Sequence, residues 1–320
     1  AGDVTFAGPV TDTATAQISL TKQGSGTLRL EAANTHVAAT TVSAGALLVN
    51  GTTVSPITVA AGATLGGEGS IATATLSGTS ASARAALSPG DGGVGTLSST
   101  GTVTLGGHTR YLWEIRDWSG ITDAFDQLTA PTLSLSATPS APLVIAITPQ
   151  SLTNYTASSR VFPIAVASSA LTGFDTAAIT IDASAIPQAV GTWSVRKTGN
   201  TLELVFALGG FPGWIEGYPT ISDPSAEADP DGDGWTNQDE WVIGTDPTSS
   251  GSRFTTTVSP NGVTFTRTAG RTYRVETSTT LQSGWTLLSN VAAGTGPITV
   301  PPPVNPGPKR FYRVIISYAP

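Results

Sequence analysis

Cysteine and methionine are both absent from this chain of 320 residues. Without cysteine there is no disulfide, no thiolate metal ligand and no cysteine nucleophile. An exported chain of this kind must hold together by backbone ladders, packing and metal. The absence of methionine implies a processed N-terminus at Ala1, as signal-peptide cleavage would leave. Charged residues make up only 12%, against about 25% in an ordinary soluble domain. The formal net charge of −7 argues against a nucleic-acid partner, because phosphates require a basic face. Only three lysines occur, Lys22, Lys197 and Lys309, which leaves no polybasic membrane anchor. No apolar run approaches 18 residues, so no transmembrane segment is expected. Aromatics are sparse at 7%, and the 36 glycines follow no three-residue period, which excludes collagen.

Threonine, a β-branched strand former, accounts for about one residue in six. Up to about Asp126 the chain repeats one phrase: Gly26-Thr-Leu-Arg-Leu30, Gly45-Ala-Leu-Leu-Val-Asn-Gly51, Gly62-Ala-Thr-Leu-Gly-Gly67 and Gly101-Thr-Val-Thr-Leu-Gly-Gly107. A period of about 20 residues, with short strands and glycine corners, predicts one coil of a parallel β-solenoid per repeat. Alternation along each strand sends Leu28 and Leu30, Leu47 and Val49, Ile57 and Val59, and Val103 and Leu105 inward as a stacked column. A sandwich of hairpins is the competitor, but the phrases repeat in one direction without two-residue Asn-Gly turns between them.

The phrase Gly24-Ser-Gly-Thr-Leu-Arg-Leu-Glu-Ala-Ala-Asn-Thr-His36, followed by Thr40-Thr-Val-Ser-Ala-Gly-Ala-Leu-Leu-Val-Asn-Gly51, resembles the autotransporter-associated β-strand repeat. Val59 to Gly67, Leu87 to Gly90 and Gly95 to Leu97 match its usual continuation, so the resemblance covers about residues 17 to 128. It implies a right-handed parallel β-helix in a bacterial surface or secreted protein, and no chemistry.

Residues 127–208 read as the last coils plus a cap, with a hairpin turning at Gly199-Asn200. Leu208-Gly-Gly-Phe-Pro-Gly213 marks a boundary. Short helices are expected at Trp214 to Tyr218 and from about Asn237 to Ile243. Six short strands after residue 250 predict a small antiparallel sandwich. The expected fold is therefore all-β: a right-handed parallel β-solenoid over 1–208, a linker with a calcium loop over 209–250, and a small antiparallel β-sandwich over 251–320.

The segment Asp229-Pro-Asp231-Gly-Asp233-Gly-Trp235-Thr-Asn237-Gln-Asp-Glu240 carries the most specific chemistry. Oxygen ligands fall at loop positions one, three, five, nine and twelve, with glycine at six for the sharp turn. Trp235 at position seven would add its backbone carbonyl, and Glu240 would bind in bidentate fashion from the helix start. The ion expected is Ca2+. The continuation Trp241 to Pro247 resembles the thrombospondin type 3 repeat, and the single loop is similar to half a dockerin; both families bind structural calcium. One unpaired loop without a Met-rich groove argues against a sensor. A structural clip stiffening a domain junction is expected, with Asp223 and Asp246 as candidate extensions.

Candidates for catalysis are few. His36 and His108 are expected at solvated corners. Gly90-Asp-Gly92-Gly-Val-Gly95 matches a dinucleotide fingerprint, but strands follow it instead of a helix. Tyr111-Leu-Trp113-Glu114-Ile-Arg116-Asp117-Trp118, with Asp123 and Asp126, is the best candidate for a sugar site. Glu114 and Asp117 point to opposite faces of a strand and cannot form a glycosidase pair alone. The preferred reading of this strand is the start of wider coils, with Trp113 packed beneath the cap. The expected function is a secreted, non-catalytic structural protein of the cell surface or extracellular matrix. Its expected partners are further copies of itself, assembling head to tail into a homopolymer. The alternative is an adhesin that binds surface glycans through Trp113 or Trp118, and a polysaccharide-degrading enzyme ranks behind both.

Overall fold

The computed structural model describes residues 2–121, 123–156, 158–186, 191–304 and 309–318. The chain divides into two compact units, 1–208 and 209–320.

The first unit is a parallel β-solenoid. One face is an eight-stranded parallel sheet that begins with Val4–Phe6 and ends with Ile179–Asp182. Its central ladder runs Val4, Leu28, Leu47, Leu65, Leu87, Tyr111, Ile145 and Ile181, each paired in register with the next. From Leu28 onward, successive members lie 19, 18, 22, 24, 34 and 36 residues apart, so the coils widen toward the C-terminal end. The predicted interior positions are buried, but they divide between two faces. Leu28 and Leu47 belong to the first sheet, whereas Ile57 stacks on Ala74 and then Val103 in the second.

Early coils have a third, very short face built from Ala33–Asn34, Thr52–Thr53 and Ser70–Ile71. The long strand Gln127–Leu135 pairs with both Thr96–Ser99 and Thr102–Leu105, which merges two faces into one. The wider lumen this creates is filled by Tyr111, Trp113, Trp118, Phe162 and Phe206, all fully buried. Tight corners between early coils require glycine: a Cβ at Gly69 would stand 1.9 Å from the Gly51 carbonyl oxygen. The C-terminal end is closed by an antiparallel hairpin, Gly191–Thr198 with Thr201–Leu208, turning at Gly199 and Asn200 as the sequence predicts.

In the second unit, helix α1 spans Gly210–Ile215, earlier than the expected Trp214 to Tyr218. Pro212 is tolerated there because amides of a first helical turn have no intrahelical acceptor. Helix α2 spans Asn237–Ile243. Two three-stranded antiparallel sheets follow. One joins Thr256–Ser259, Gly262–Arg267 and Gly296–Val300; the other joins Thr286–Val291, Arg271–Ser278 and Phe311–Tyr318. They share one core of Val263, Phe265, Tyr273, Val275, Val291 and Val300.

Candidate metal centre

The acidic loop is shaped by its own backbone. Asp229 accepts hydrogen bonds from the amides of Gly232 (3.0 Å), Asp233 (3.2 Å) and Gly234 (2.9 Å). Gly232 and Gly234 have φ of 72° and 95°, the left-handed region that glycine enters without a steric cost. This winding brings a carboxylate oxygen from each of Asp229, Asp231 and Asp233 within 4.8 Å of one another. The Trp235 amide donates to Asp233 Oδ1 at 2.9 Å, which fixes the seventh loop position, while the indole stays exposed.

Helix α2 follows the loop; its Glu240 does not join that 4.8 Å group, although the charges of Asp231 and Asp233 act on it. Thr236 caps it in a reciprocal box with Asp239, so the helix starts at Asn237. Asn237 and Glu240 are then three residues apart on one helical face, and both are fully buried. Asn237 spends its amide hydrogens on the carbonyls of Asp223 (2.9 Å) and Ser225 (2.7 Å). That orientation leaves Asn237 Oδ1 buried with no donor. Asp231 Oδ2, Asp233 Oδ2 and both carboxylate oxygens of Glu240 are likewise buried without a hydrogen-bond donor. Burial, with the charges of Asp231 and Asp233 beside it, pushes the Glu240 carboxyl up to about 7. Burial also raises Asp231, which Asp233 and Asp229 oppose with like charge.

Orphaned buried oxygens are costly unless something occupies the space between them. Here the donors are all oxygen and mostly anionic, the set a hard divalent cation takes. The residues present therefore fit the group that the loop spacing implies. Asp223 is exposed and accepts from the Ser225 amide, whereas Asp246 accepts from Thr248 and its charge is among those that raise Glu240. Arg253 was not singled out from the sequence, yet its Nε lies 3.4 Å from Asp233 Oδ2. No local spacing rule reaches from residue 233 to 253. Arg271 was missed for the same reason; it donates to the Trp241 and Val242 carbonyls at the C-terminal end of α2.

In the solenoid unit the candidate sugar platform is packed into the interior. Trp113 and Trp118 have 0% exposure and pack against Phe162, so neither ring is available to a glycan. Trp113 lies in the widened coils, as the structural alternative required. Asp126 is fully buried, accepts the Gly95 and Glu114 amides, and is pushed up to about 8 by burial. Asp117 is held at about 2 by hydrogen bonds from Ser119, and Asn154 and Thr153 also donate to it. Glu114 accepts from Gln150. Glu114, Asp117 and Asp126 are thus tied to structural partners, whereas Asp123 is exposed on a turn with φ of 61°.

His36 is corrected too. It is fully buried, not solvated, because the segment before it wraps the corner: the Val10 carbonyl accepts the Thr35 and His36 amides. Its Nε2 lies 2.9 Å from Thr40 Oγ1, which continues to Ser55 Oγ at 2.7 Å. His108 is half-buried on a turn with φ of 52°. The Gly90 to Gly95 stretch is a turn between strands, with no helix after it.

Residues 20–49 match the family model of the passenger-associated-transport repeat. No curated protein matches the chain. No helix among the described residues is long and apolar enough to cross a membrane.

Proposed function

Residues 20–49 form solenoid coils of the passenger-associated-transport repeat, and we propose that the chain is a non-catalytic structural component of a bacterial surface or extracellular matrix. The observation that carries this reading is the closed interior of the solenoid. The aromatic rings from Tyr111 to Trp118 are spent on packing, and Glu114, Asp117 and Asp126 on hydrogen bonds within the fold. A ladder of coils filled with aliphatic side chains is a stiff spacer, since strand after strand along it pairs with the next coil.

Calcium is the ion we assign to Asp229, Asp231, Asp233, the Trp235 carbonyl, Asn237 and Glu240. Bound there, it would neutralise the carboxylates that crowd the loop and hold α2 against it. Terbium luminescence sensitised by Trp235 tests this: calcium should displace terbium in wild type, and Glu240→Gln should lose the signal. A terbium signal unchanged in Glu240→Gln overturns the ligand set.

Self-assembly is the finer part of the proposal. Among the described residues, the outer edge of Val4–Phe6 carries no partner strand, and Val4 and Phe6 are 49% and 41% exposed. An unpaired parallel edge accepts another strand, and head-to-tail contacts of this kind propagate into a filament unless their rotation closes a ring. Negative-stain microscopy and sedimentation, with and without calcium, should show fibres. Monodisperse particles at high concentration in every condition would refute assembly.

A further inference from the structure

The last 70 residues, 251–320, contain seven Lys and Arg but a single acidic residue, Glu276. Residues 209–250 are the reverse, with nine Asp and Glu and no Lys or Arg. In the three-stranded sheet around Arg271–Ser278, Tyr312, Val314 and Ile316 face the core, so Phe311, Arg313 and Ile315 line the opposite face. Two rows cross that face: Leu287, Glu276 and Arg313 in one, Asn290, Arg274 and Ile315 in the other.

Glu276 carries no free charge to this surface. It is buried, with Arg274 at 2.6 Å on one oxygen and Arg313 at 2.5 Å on the other. Two arginines share one carboxylate, which leaves the group net positive. Arg313 is propped over the Trp285 ring at 4.6 Å and Lys309 over the Phe311 ring at 5.1 Å. Leu287 and Ile315 are exposed by 52% and 39%. Arginine, aromatic and aliphatic side chains interleaved on one flat face are the composition of a protein interface core.

We propose that this face docks onto the acidic segment 209–250 of a second copy of the chain, with Asp223, Glu227 and Asp239 as its exposed anions. Charge complementarity selects that occupant: the same chain supplies a cation-free acidic stretch, whereas its net charge of −7 opposes approach to an anionic lipid or polysaccharide. The contact is heterologous, so it builds a ring where its rotation closes and a filament where it does not. The inference rests on the self-assembly reading above and adds a second contact to it. Two strands of eight residues and one of six present at most roughly 27 by 14 Å. That is well under the ~800 Å2 per partner of a standard interface, so the contact is weak and salt-sensitive.

The test is sedimentation of the full chain at low and high salt. Arg274→Gln/Arg313→Gln/Glu276→Gln removes the cations together with the carboxylate they neutralise, so no buried charge is left unpaired. Asp223→Lys/Glu227→Lys alters the other side. Each variant should weaken low-salt association at least tenfold while keeping its far-UV spectrum, and 0.5 M salt should do the same to wild type. Mixing Asp223→Lys/Glu227→Lys with the Gln variant, which keeps the acidic segment, should restore pairing. Assembly that is undiminished in both variants overturns this contact but leaves the β-edge reading standing. A wild type that is monomeric at every salt concentration overturns both. A monomer whose Arg274 and Arg313 instead confer binding to phosphatidylglycerol vesicles or polygalacturonate overturns the second copy as occupant.

Discussion

The Tyr111 hydroxyl donates to the Ile164 carbonyl at 2.7 Å, across the interior of the solenoid from one sheet to the other. Both residues are fully buried, and Tyr111 stacks in the central ladder between Leu87 and Ile145. Tyr111→Phe keeps the ring and loses the bond, so it should cost about 1–2 kcal/mol. Tyr111→Ala also opens a cavity and should cost about 3–5 kcal/mol. Urea unfolding measures both, and equal costs would show that the hydrogen bond, not the packing, dominates.

Asp126 makes the solenoid sensitive to pH in a definite direction. Its folded pKa of about 8 lies above the ordinary aspartate value of 3.8. The protonated form is therefore favoured by folding. Its stability contribution is complete below about pH 4 and is lost as pH rises through about 8. Thermal unfolding between pH 5 and 8 should show stability falling by up to a few kcal/mol from this group. Asp126→Asn should flatten that slope, and an identical slope in the variant would assign it to other groups.

Calcium should act on the second unit. With free ion at a hundredfold excess over Kd, binding adds about 2.7 kcal/mol to the folded form. Chelation should lower that unit's melting transition. Asp231→Asn should shrink the shift, and Glu240→Gln should abolish it. Calorimetry with and without chelator reads these effects, and a transition indifferent to chelator in wild type would contradict the assignment.

Two glycine substitutions should separate crowding from backbone strain. Gly69→Ala drives a Cβ to 1.9 Å from the Gly51 carbonyl oxygen, so neighbouring coils must shift. Gly62 has φ of +80°, but a Cβ added there would meet nothing within 4 Å. Gly62→Ala should cost about 1–2 kcal/mol from the left-handed backbone alone. Gly69→Ala should cost clearly more, by thermal denaturation of each variant.

Much of the fold could be read locally. The repeat from Gly26 onward, the Gly199-Asn200 hairpin and the acidic turn from Asp229 to Gly234 are all short-range patterns, because coil length, turn geometry and loop position are set by neighbouring residues. The sequence by itself thus determined a parallel β-solenoid and which oxygens sit on the acidic loop. The tertiary structure decided which way particular side chains face. Trp113 and Trp118 are five apart, so strict alternation would place them on opposite faces. Alternation buries Trp113 and holds through Asp117, and the turn after Asp117 then folds Trp118 inward as well. His36 reads as a corner residue until the distant Val10 segment covers it. Likewise, only packing of α2 against the loop leaves the oxygens of Asn237 and Glu240 buried without donors. Alternation and spacing report on neighbours along the chain; burial depends on what the rest of the chain lays over them.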